Sequence, residues 1–408
     1  MKGRSRPRVM ILGGGFAGIS CARALPSRRF DVTLVDRSGS FEFLPNIHEL
    51  LSGVKTPASL RLPLAAMLRA AGHRFQRNEV VAIDTTAKQL AMKKGPPLEY
   101  DWLVLATGGI DATFGVGGVA EYGYPFKSVA HCARIGKRLA ELARRETPAR
   151  VVVVGGGLEG VEALGEILRK YRRSNLHTTL VEAQSRLLPE APASLDAHLR
   201  AHCANWDVSI RCGTPVRRLT ARTVKLANGE SLRSDLTIWT GGPSPSPLLR
   251  ESGLAPGKGW APVDENLCST QAENLFVVGD AAELPAALPK QAYHAIDMGK
   301  CAARNLERVE NGCRPQRYRA APKPTLVSFG DLSCMLVAGD FALASPALGA
   351  GKEAIYELLM TQLDPQPLPG RLRRAVGRST LAGRRLLWPT LASTDALRRQ
   401  GRFKLLTG

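Results

Sequence analysis

The sequence predicts an α/β protein with two Rossmann-like folds, each built on a parallel sheet, and a further C-terminal domain. Two observations predict this class. A pattern of strand, glycine turn and helix occurs twice, as VMILGGGFAGISCARAL in residues 9–25 and as VVVVGGGLEGVEALGEIL in residues 151–168. Each copy is followed by a β-branched strand that ends in an acid, VTLVD in residues 32–36 and TTLVE in residues 178–182. The chain therefore contains two βαβ units.

The three glycines of each G-x-G-x-x-G motif have separate tasks. The first permits a tight turn from strand to helix, the second lets a pyrophosphate approach the backbone, and the third lets the helix pack closely on the strand. Backbone N–H groups at the helix start, together with the helix dipole, supply an anion site. These glycines are Gly13, Gly15 and Gly18 in the first unit and Gly155, Gly157 and Gly160 in the second.

The acids at the ends of the second strands predict which nucleotide binds. Asp36 and Glu182 follow the first glycine of their motifs by 23 and 27 residues, where a carboxylate accepts hydrogen bonds from a ribose 2′-hydroxyl. An acid in this position disfavours a 2′-phosphate, so the second site is predicted to take NADH. Arg186 lies near Glu182 in the sequence and leaves NADPH as the alternative.

Three further segments indicate that the first nucleotide is FAD. DWLVLATGG in residues 101–109 and SDLTIWTGG in residues 234–242 are strands that end in small-residue turns. LFVVGDAA in residues 275–282 is a buried strand whose exit carries Gly279 and Asp280, and in flavoproteins such an aspartate lies beside the ribityl chain or the pyrophosphate. This order predicts an FAD domain interrupted by an NAD(H) domain. The expected domains are residues 1–112 (FAD-binding, first part), 113–247 (NAD(H)-binding), 248–321 (FAD-binding, second part) and 322–408 (C-terminal, with a basic tail).

Composition indicates a globular enzyme, with 44% hydrophobic and 23% charged residues. No apolar run approaches the ~18–20 residues of a membrane-spanning helix. The basic start, residues 1–8, leads into a glycine motif instead of a cleavable apolar segment, so a signal peptide is not expected. The expected location is cytoplasmic, or peripheral on the inner face of the cell membrane.

The net charge of +20 is concentrated near the C-terminus, where residues 367–408 hold ten basic residues and one acid, Asp395. Apolar residues alternate with the arginines, which predicts one or two helices lying on an anionic membrane surface. Gly377, Gly383 and Pro389 break the helical period, so a tail packed on the body of the protein or on a second subunit is the alternative. Nucleic acid is not expected as a partner, because the tail has few aromatic residues and no reading motif.

The eight cysteines have no spacing that suits zinc or a redox pair, so we expect reduced, mostly buried thiols and no metal site. Cys132 and Cys334 are the candidates for a reactive thiol, should one exist.

Eight segments, in order, carry a resemblance to a known family. They are GGGFAGISCARAL, FEFLPNIHELLSG, ATGG, GGGLEGVEALGEIL, VEAQSRLLPEAP, IWTGG, NLFVVGDAAEL and PKQAYHAIDMGKCAARNL. Over residues 8–345 the chain resembles the flavoproteins with two dinucleotide-binding domains, and within them the type II NADH dehydrogenases and the quinone reductases similar to apoptosis-inducing factor. The resemblance implies bound FAD, hydride transfer from NADH to FAD, and delivery of two electrons to a quinone.

The resemblance also implies roles for three residues. Glu162 matches a glutamate near the nicotinamide and the flavin, and Gln291 matches a glutamine that lines the quinone site. Lys290 departs from the Ala-Gln pair of type II dehydrogenases and resembles the apoptosis-inducing-factor branch, where an ammonium stabilises negative charge on reduced flavin. The alternatives are a surface carboxylate for Glu162, a polar residue at a helix start for Gln291, and a solvated side chain for Lys290.

The candidate cofactor-binding residues follow from these motifs. They are Gly13, Gly14, Gly15, Phe16, Ala17, Gly18, Asp36, Arg37, Val81, Ala106, Thr107, Gly108, Gly155, Gly157, Gly160, Glu182, Gly242, Gly279 and Asp280.

Activities besides quinone reduction stay open at this point. Residues 38–46 contain no cysteine, which disfavours a disulfide reductase. Residues 324–331 resemble sulfide:quinone oxidoreductases, but Thr325 is nearest to where their reactive cysteine is expected. The chain could also reduce a soluble electron-transfer protein, or turn over slowly as an accessory flavoprotein that acts by binding a partner. A homodimer is compatible with each of these activities.

Overall fold

The computed structural model describes residues 5–257, 259–382 and 403–407 and confirms the predicted α/β class with parallel sheets. The helices in these ranges are α1 (Phe16–Ala24), α2 (Glu49–Ser52), α3 (Leu64–Ala70), α4 (Val119–Tyr122), α5 (Val129–Leu142), α6 (Leu158–Tyr171), α7 (Ser194–Cys203), α8 (Pro247–Glu251), α9 (Ala292–Glu310), α10 (Leu348–Leu363) and α11 (Leu368–Ala382), with short 3-10 turns at Leu44–Asn46 and Gly279–Ala281. The strands are β1 (Arg8–Leu12), β2 (Asp31–Asp36), β3 (Ser40–Glu42), β4 (Arg61–Pro63), β5 (Arg74–Arg77), β6 (Val80–Asp84), β7 (Gln89–Met92), β8 (Leu98–Glu99), β9 (Trp102–Leu105), β10 (Ile110–Asp111), β11 (Gly123–Pro125), β12 (Ala149–Val154), β13 (Leu176–Val181), β14 (Val208–Arg211), β15 (Val216–Leu219), β16 (Thr223–Leu226), β17 (Ser231–Arg233), β18 (Leu236–Trp239), β19 (Pro243–Ser244), β20 (Ala261–Pro262), β21 (Leu275–Val277), β22 (Ala282–Glu283), β23 (Thr325–Phe329), β24 (Ser333–Ala338), β25 (Phe341–Ala344) and β26 (Lys404–Thr407).

The chain divides into two compact units. Unit 1 comprises the described parts of residues 1–42, 61–110 and 243–322, and unit 2 those of residues 43–60, 111–242 and 323–408. Residues 43–60 and the C-terminal region thus group with the central segment in unit 2. The assignment of domains by the nucleotide that each binds stays a prediction, because these units are defined by packing alone.

The main sheet of unit 1 is parallel, in the order β21-β9-β1-β2-β5. Its central strand carries the first glycine motif, and Val9 lies opposite Val32 on one side and Trp102 on the other. The apolar run of β1 is buried, as expected for a strand covered on both faces. Helices α1 and α9 pack closely together, since a Cβ at Gly299 would lie 2.2 Å from the carbonyl oxygen of Ala17.

Unit 2 repeats this arrangement in the order β11-β18-β12-β13-β14. Val151 of the central strand β12 lies opposite Thr178 of β13 and Leu236 of β18. In both units, therefore, the strand before the glycine turn lies between the strand that ends in the acid and the strand that ends in a small-residue turn. This equivalence confirms the duplication predicted from the motifs.

The C-terminal region of unit 2 contains an antiparallel sheet, β23-β24-β25-β26, and the helices α10 and α11. Helix α11 continues through Gly377, and Leu372 and Val376 on it are 55% and 61% exposed. The helical prediction was wrong for the last residues, because Lys404–Thr407 forms a strand that pairs with β25. The free edge of β25 offers backbone groups whose hydrogen bonds outweigh the local helical pattern. Several basic residues of the predicted tail lie outside the described residues, namely Arg384, Arg385, Arg398, Arg399 and Arg402.

The eight cysteines all lie among the described residues and form no disulfide there. Five are buried, as predicted for most of them, and Cys313 is exposed. Burial raises the pKa of Cys334 to about 11, so little thiolate exists near neutral pH, and Cys132 is buried as well. Neither candidate therefore has the accessible thiolate that a reactive cysteine needs. Within the described residues, no helix is both long enough and apolar enough to cross a membrane.

Candidate functional sites in the two units

The glycine turn between β1 and α1 has the geometry of a phosphate site. Gly13 has a φ of +111°, and a Cβ there would lie 2.3 Å from the carbonyl oxygen of Ala106. A Cβ at Gly18 would lie 2.0 Å from the carbonyl oxygen of Gly13. A Cβ at Gly15, in contrast, meets nothing within 4 Å. The first and third glycines are therefore required by close backbone packing. The second leaves open space for a ligand at the start of α1, where Phe16 begins the helix.

Asp36 closes this turn through its carboxylate. One oxygen accepts a 2.7 Å hydrogen bond from the Gly14 N–H, and the other accepts a 2.6 Å bond from the Ser38 N–H. A carboxylate has about four lone-pair positions, so each oxygen can still accept a hydroxyl proton. The side chain is fixed beside the glycine turn and can bind a ribose.

The remaining predicted FAD contacts of unit 1 lie on the same sheet edge or at its surface. Thr107 follows β9, and its hydroxyl oxygen is buried without a hydrogen-bond partner among the described residues. Gly279 has a φ of +68°, and a Cβ there would lie 3.0 Å from the Cβ of Ala17. An unsatisfied buried hydroxyl beside an open glycine turn fits a group that the chain does not supply. Two candidates, Arg37 and Val81, are exposed side chains.

The second glycine turn, between β12 and α6, repeats the first in detail. Gly155 has a φ of +108°, and a Cβ at Gly160 would lie 1.8 Å from the Gly155 carbonyl oxygen. Gly157 again meets nothing within 4 Å. Gly242 follows β18 with a φ of +79° and an equally open environment. The open second glycine gives unit 2 the same potential phosphate position as unit 1.

Glu182 closes the second turn as Asp36 closes the first. Its carboxylate accepts hydrogen bonds from the backbone N–H groups of Gly156 and Gln184, the latter at 2.7 Å. Arg186, the residue that left NADPH open, donates to the carbonyl oxygens of Leu188 at 3.0 Å and Pro189 at 2.6 Å. Its guanidinium is thus engaged by backbone instead of being presented to a 2′-phosphate.

Lys290 and Gln291 lie where α9 begins in unit 1. The Lys290 ammonium donates to the carbonyl oxygens of Asp280 at 2.8 Å and Ala282 at 2.7 Å, and it lies 4.4 Å from the ring centre of Trp260. Two of the three N–H donors of the ammonium are thus hydrogen-bonded, and its charge lies over an aromatic ring. Lys290, although exposed, thus binds the turn that carries Asp280, a contact here called the Lys290 clasp, and its predicted role at the flavin stays a prediction.

A cavity of about 320 Å³ adjoins this clasp within unit 1. Its lining is mostly apolar, from the loop between β22 and α9 and from Met298, and its polar groups include Asp280, Gln291 and His294. A largely apolar cavity with a few convergent polar groups is typical of a small-molecule site. Gln291 is the N-cap residue of α9, which agrees with its alternative placement at a helix start, and its predicted role stays a prediction.

Glu162 lies in a buried group of charged side chains in unit 2, here called the acid cluster. Its members are Glu49, Glu162, Glu166, Glu353, Lys55, Arg169, Lys352 and His48. Glu162 itself is 6% exposed, which excludes the alternative of a surface carboxylate.

The two oxygens of Glu162 have different partners. One accepts from the Lys352 ammonium at 2.5 Å and from the Ser328 backbone N–H at 3.1 Å. The other lies 3.2 Å from Nδ1 of His48, whose Nε2 is 3.4 Å from the Lys352 ammonium. Glu162 is thereby held at the centre of a three-residue contact. A carboxylate held in this way can accept or release a proton without moving far.

Burial and charge set the protonation states of these three groups. Burial raises the pKa of Glu162, and the neighbouring Lys352 opposes that rise. Burial alone would lower the pKa of Lys352, but the attraction of Glu162 raises it, so the ammonium stays charged. Burial, with the cations Lys352, Arg169 and Lys55, lowers the pKa of His48 well below its usual range. At neutral pH His48 is therefore a neutral imidazole.

His48 and Lys352 were not identified from the sequence as site residues. His48 belongs to the family-like segment FEFLPNIHELLSG, but nothing in that segment indicates its partner. Lys352 lies in helix α10, in GAGKEA, 190 residues after Glu162. No local pattern connects residues so far apart, so the family-like histidine was the one signal available.

The family model described as pyridine nucleotide-disulphide oxidoreductase matches residues 7–299. A type II NADH:quinone oxidoreductase of Staphylococcus aureus (strain NCTC 8325 / PS 47) is 25% identical over 356 residues, which cover 80% of this chain and 88% of that protein.

Two solved structures share the fold. The structure of NDH2 from Plasmodium falciparum in complex with NADH has a TM-score of 0.81 at 15% identity and covers 94% of this chain and 98% of that one. The sulfide:quinone oxidoreductase of Aquifex aeolicus has a TM-score of 0.76 at 19% identity and covers 89% of this chain and 93% of that one. At these identities the likeness concerns the fold.

Proposed function

Because the chain belongs to the pyridine nucleotide-disulphide oxidoreductases, we propose that it is an FAD-dependent enzyme that oxidises NADH and reduces a quinone. The observation that carries the proposal is the duplicated nucleotide site. In each unit, the second glycine of the turn has open space beside it for a ligand. An acid next to each turn accepts hydrogen bonds from backbone N–H groups. The relative from Staphylococcus aureus, named as an NADH:quinone oxidoreductase, supports the choice of acceptor.

The residues of unit 1 are proposed to hold FAD. Gly13, Gly15 and Gly18 place the start of α1 against the pyrophosphate, and Asp36 accepts the ribose hydroxyls. When bound, FAD supplies the redox chemistry by accepting hydride and passing on two electrons. The Lys290 clasp holds the Asp280 turn and keeps a positive charge beside it, and Gln291 contributes a polar group to the cavity for the quinone.

The residues of unit 2 are proposed to hold NADH. The start of α6 receives the pyrophosphate at Gly157, and Glu182 accepts hydrogen bonds from the ribose hydroxyls. Glu162, which contacts Lys352 and His48, is proposed to accept and release the proton that the acceptor needs when it is reduced. Positioning and electrostatics are thus the contributions of the protein itself.

The proposal is tested on the purified full-length protein. A flavin spectrum, rapid bleaching by NADH without oxygen, and reoxidation by ubiquinone or menaquinone analogues are the expected results. Reoxidation by an acidic ferredoxin but not by quinones would instead identify a soluble electron-transfer partner. A colourless protein that cannot be reconstituted with FAD, or a flavin that NADH does not bleach within seconds, would refute the proposal.

The contacts of Glu182 predict that NADH is preferred over NADPH. The carboxylate repels a 2′-phosphate, and Arg186 is already occupied by two backbone carbonyls. We expect kcat/KM for NADH to exceed that for NADPH by about tenfold or more, equivalent to about 1.4 kcal/mol. Glu182→Gln should reduce this ratio and leave flavin content unchanged. A higher kcat/KM with NADPH in the unaltered protein would show that the carboxylate does not select the ribose.

We further propose that helix α11 contacts an anionic membrane surface. Its exposed Leu368, Leu372 and Val376 supply apolar contact, and Arg371 and Arg374 lie on the same helix. Apolar burial and headgroup attraction act together in such helices.

Vesicle sedimentation tests this contact. The unaltered protein should bind phosphatidylcholine vesicles that contain phosphatidylglycerol, and binding should weaken as salt is added. Leu372→Ser with Val376→Ser should weaken binding about tenfold or more, because about 2–3 kcal/mol of apolar burial is lost. Leu358→Ser, at an exposed leucine of α10, is the control and should bind normally. Equal binding to vesicles with and without phosphatidylglycerol would contradict the proposal. Light scattering on the protein without vesicles tests whether a homodimer forms.

A further inference from the structure

The acid cluster contains more negative than positive charge. Its four carboxylates accompany three cations, and its histidine is neutral because burial and the cations lower its pKa. Two further acids lie close enough to act on the cluster, Asp331 and Glu357, of which Asp331 pairs with Arg172 at 2.6 Å. An uncompensated charge in a buried site costs several kcal/mol, and taking up a proton removes that cost. The charge balance therefore favours a proton on one of the carboxylates.

Glu166 is less completely hydrogen-bonded than Glu162. It is fully buried, and its Oε1 has no hydrogen-bond partner among the described residues, the Arg169 Nε lying 3.5 Å away. The Arg169 guanidinium instead donates to the Gly330 carbonyl oxygen at 2.6 Å. Glu162, by contrast, accepts two hydrogen bonds.

The contact between Glu166 and Ser52 can form whether or not Glu166 carries a proton. The Ser52 hydroxyl lies within hydrogen-bond distance of two acceptors, Oε2 of Glu166 and the carbonyl oxygen of Glu49 at 3.2 Å. A hydroxyl has one proton and can satisfy only one of them. If Glu166 is protonated at Oε2, its O–H can donate to Ser52 while the Ser52 O–H donates to the carbonyl oxygen of Glu49, so both of these acceptors are satisfied. Burial, together with the charge of Glu49, raises the pKa of Glu166 to about 7 despite the opposing Arg169, which agrees with this assignment.

We propose that Glu166 stores the proton of the acid cluster and delivers it to Glu162 in each catalytic cycle. Glu162 and Glu166 are one helical turn apart on α6, so their side chains share a face. Glu49 acts electrostatically on both carboxylates. Because Glu166 acts through Glu162, it is a positioning residue for that proton.

The delivery step rests on the proposed function and balances with it. NADH supplies a hydride, and forming a hydroquinone from a quinone requires one further proton. The O–H bond of Glu166 breaks, an O–H bond forms on Glu162, and Glu162 releases one proton for each reduced quinone that takes one up. Solvent then returns one proton to Glu166.

Infrared spectroscopy of the FAD-bound protein without NADH tests whether Glu166 carries the stored proton. The unaltered protein should show a carbonyl band of a protonated carboxylic acid that disappears as the pH rises through about 7. Glu166→Gln should lack that band, and Glu141→Gln, at an exposed glutamate of α5, should retain it. Ser52→Ala removes a hydrogen bond that stabilises the ionised form, so the band should persist to higher pH. An unchanged band in Glu166→Gln would overturn the proposal that Glu166 stores the proton. So would a band in Ser52→Ala that disappears at the same pH as in the unaltered protein.

Steady-state quinone reduction tests whether Glu166 delivers its proton to Glu162. In Glu166→Gln the quinone-dependent kcat should fall by about tenfold or more and change its pH profile, while flavin bleaching by NADH without oxygen keeps its rate. Glu166→Asp, which retains a carboxyl group, should recover part of the loss. A pH profile equal to that of the unaltered protein would overturn the delivery. If the unaltered protein bleaches with NADH but reduces no quinone, the proposed acceptor is wrong and the delivery fails with it, while the infrared result still decides the store.

Discussion

Gly157→Ala is expected to raise the KM for NADH by about tenfold or more while the flavin content stays unchanged. A Cβ at Gly157 meets no protein atom within 4 Å, and its φ of −73° is accessible to alanine, so the fold of unit 2 should be unaffected. The added methyl group enters the space where the pyrophosphate is proposed to approach the backbone, and a misplacement of about 1 Å can cost about 100-fold in rate. Steady-state kinetics with varied NADH measure the effect.

The equivalent substitution in unit 1 tests which unit binds which nucleotide. A Cβ at Gly15 also meets nothing within 4 Å, so Gly15→Ala should reduce bound FAD without changing the secondary structure. Gly349→Ala, in α10, is the control for adding a methyl group to an open glycine, and both nucleotides should bind as before. Loss of flavin in Gly157→Ala, with normal flavin in Gly15→Ala, would show that the two units have been assigned to the wrong nucleotides.

The duplicated turn was predictable because its causes are local. A first glycine with positive φ and a third glycine without room for a Cβ follow from the backbone of one βαβ unit, and both units show them at Gly13, Gly18, Gly155 and Gly160. The acid that closes each turn follows from its place at the end of the neighbouring strand. Such features depend on residues within about 30 positions of one another, a range over which sequence patterns are informative.

The acid cluster was not predictable because its contacts join distant segments. Ser52 lies 114 residues before Glu166, and Lys55 lies 298 residues before its partner Glu353. Charged residues in a sequence are normally read as solvated, and their burial here results from packing of α2, α6 and α10 in unit 2. The strand at Lys404–Thr407 was missed for a similar reason, since its partner β25 supplies the hydrogen bonds.

Substitutions in the buried pair of Glu162 and Lys352 are expected to affect stability and catalysis to different extents. Lys352→Met leaves the carboxylate buried without its cation, which should lower the free energy of unfolding by about 3–5 kcal/mol. Glu162→Gln leaves the ammonium without its carboxylate and should also lower quinone-dependent kcat by about 100-fold, the scale of a lost proton-transfer group. The double variant should recover much of the stability, because neither charge remains unpaired, but none of the turnover. Urea unfolding followed by circular dichroism, with steady-state kinetics, measures both quantities.

The pH dependence of Lys352→Met gives this prediction a definite sign. Burial raises the pKa of Glu162 above its unfolded value, and Lys352 opposes that rise, so the folded Lys352→Met variant favours the neutral acid more strongly than the unaltered protein does. Its contribution to stability is complete below the unfolded pKa and is lost as the pH rises through the folded pKa. Lys352→Met should therefore be closer in stability to the unaltered protein at about pH 5 than at about pH 8. The exposed pair of Lys93 and Glu79 is the control, since Lys93→Met should leave the stability almost unchanged at both pH values. A loss that is the same at both pH values would mean that packing, and not the unpaired carboxylate, determines the effect.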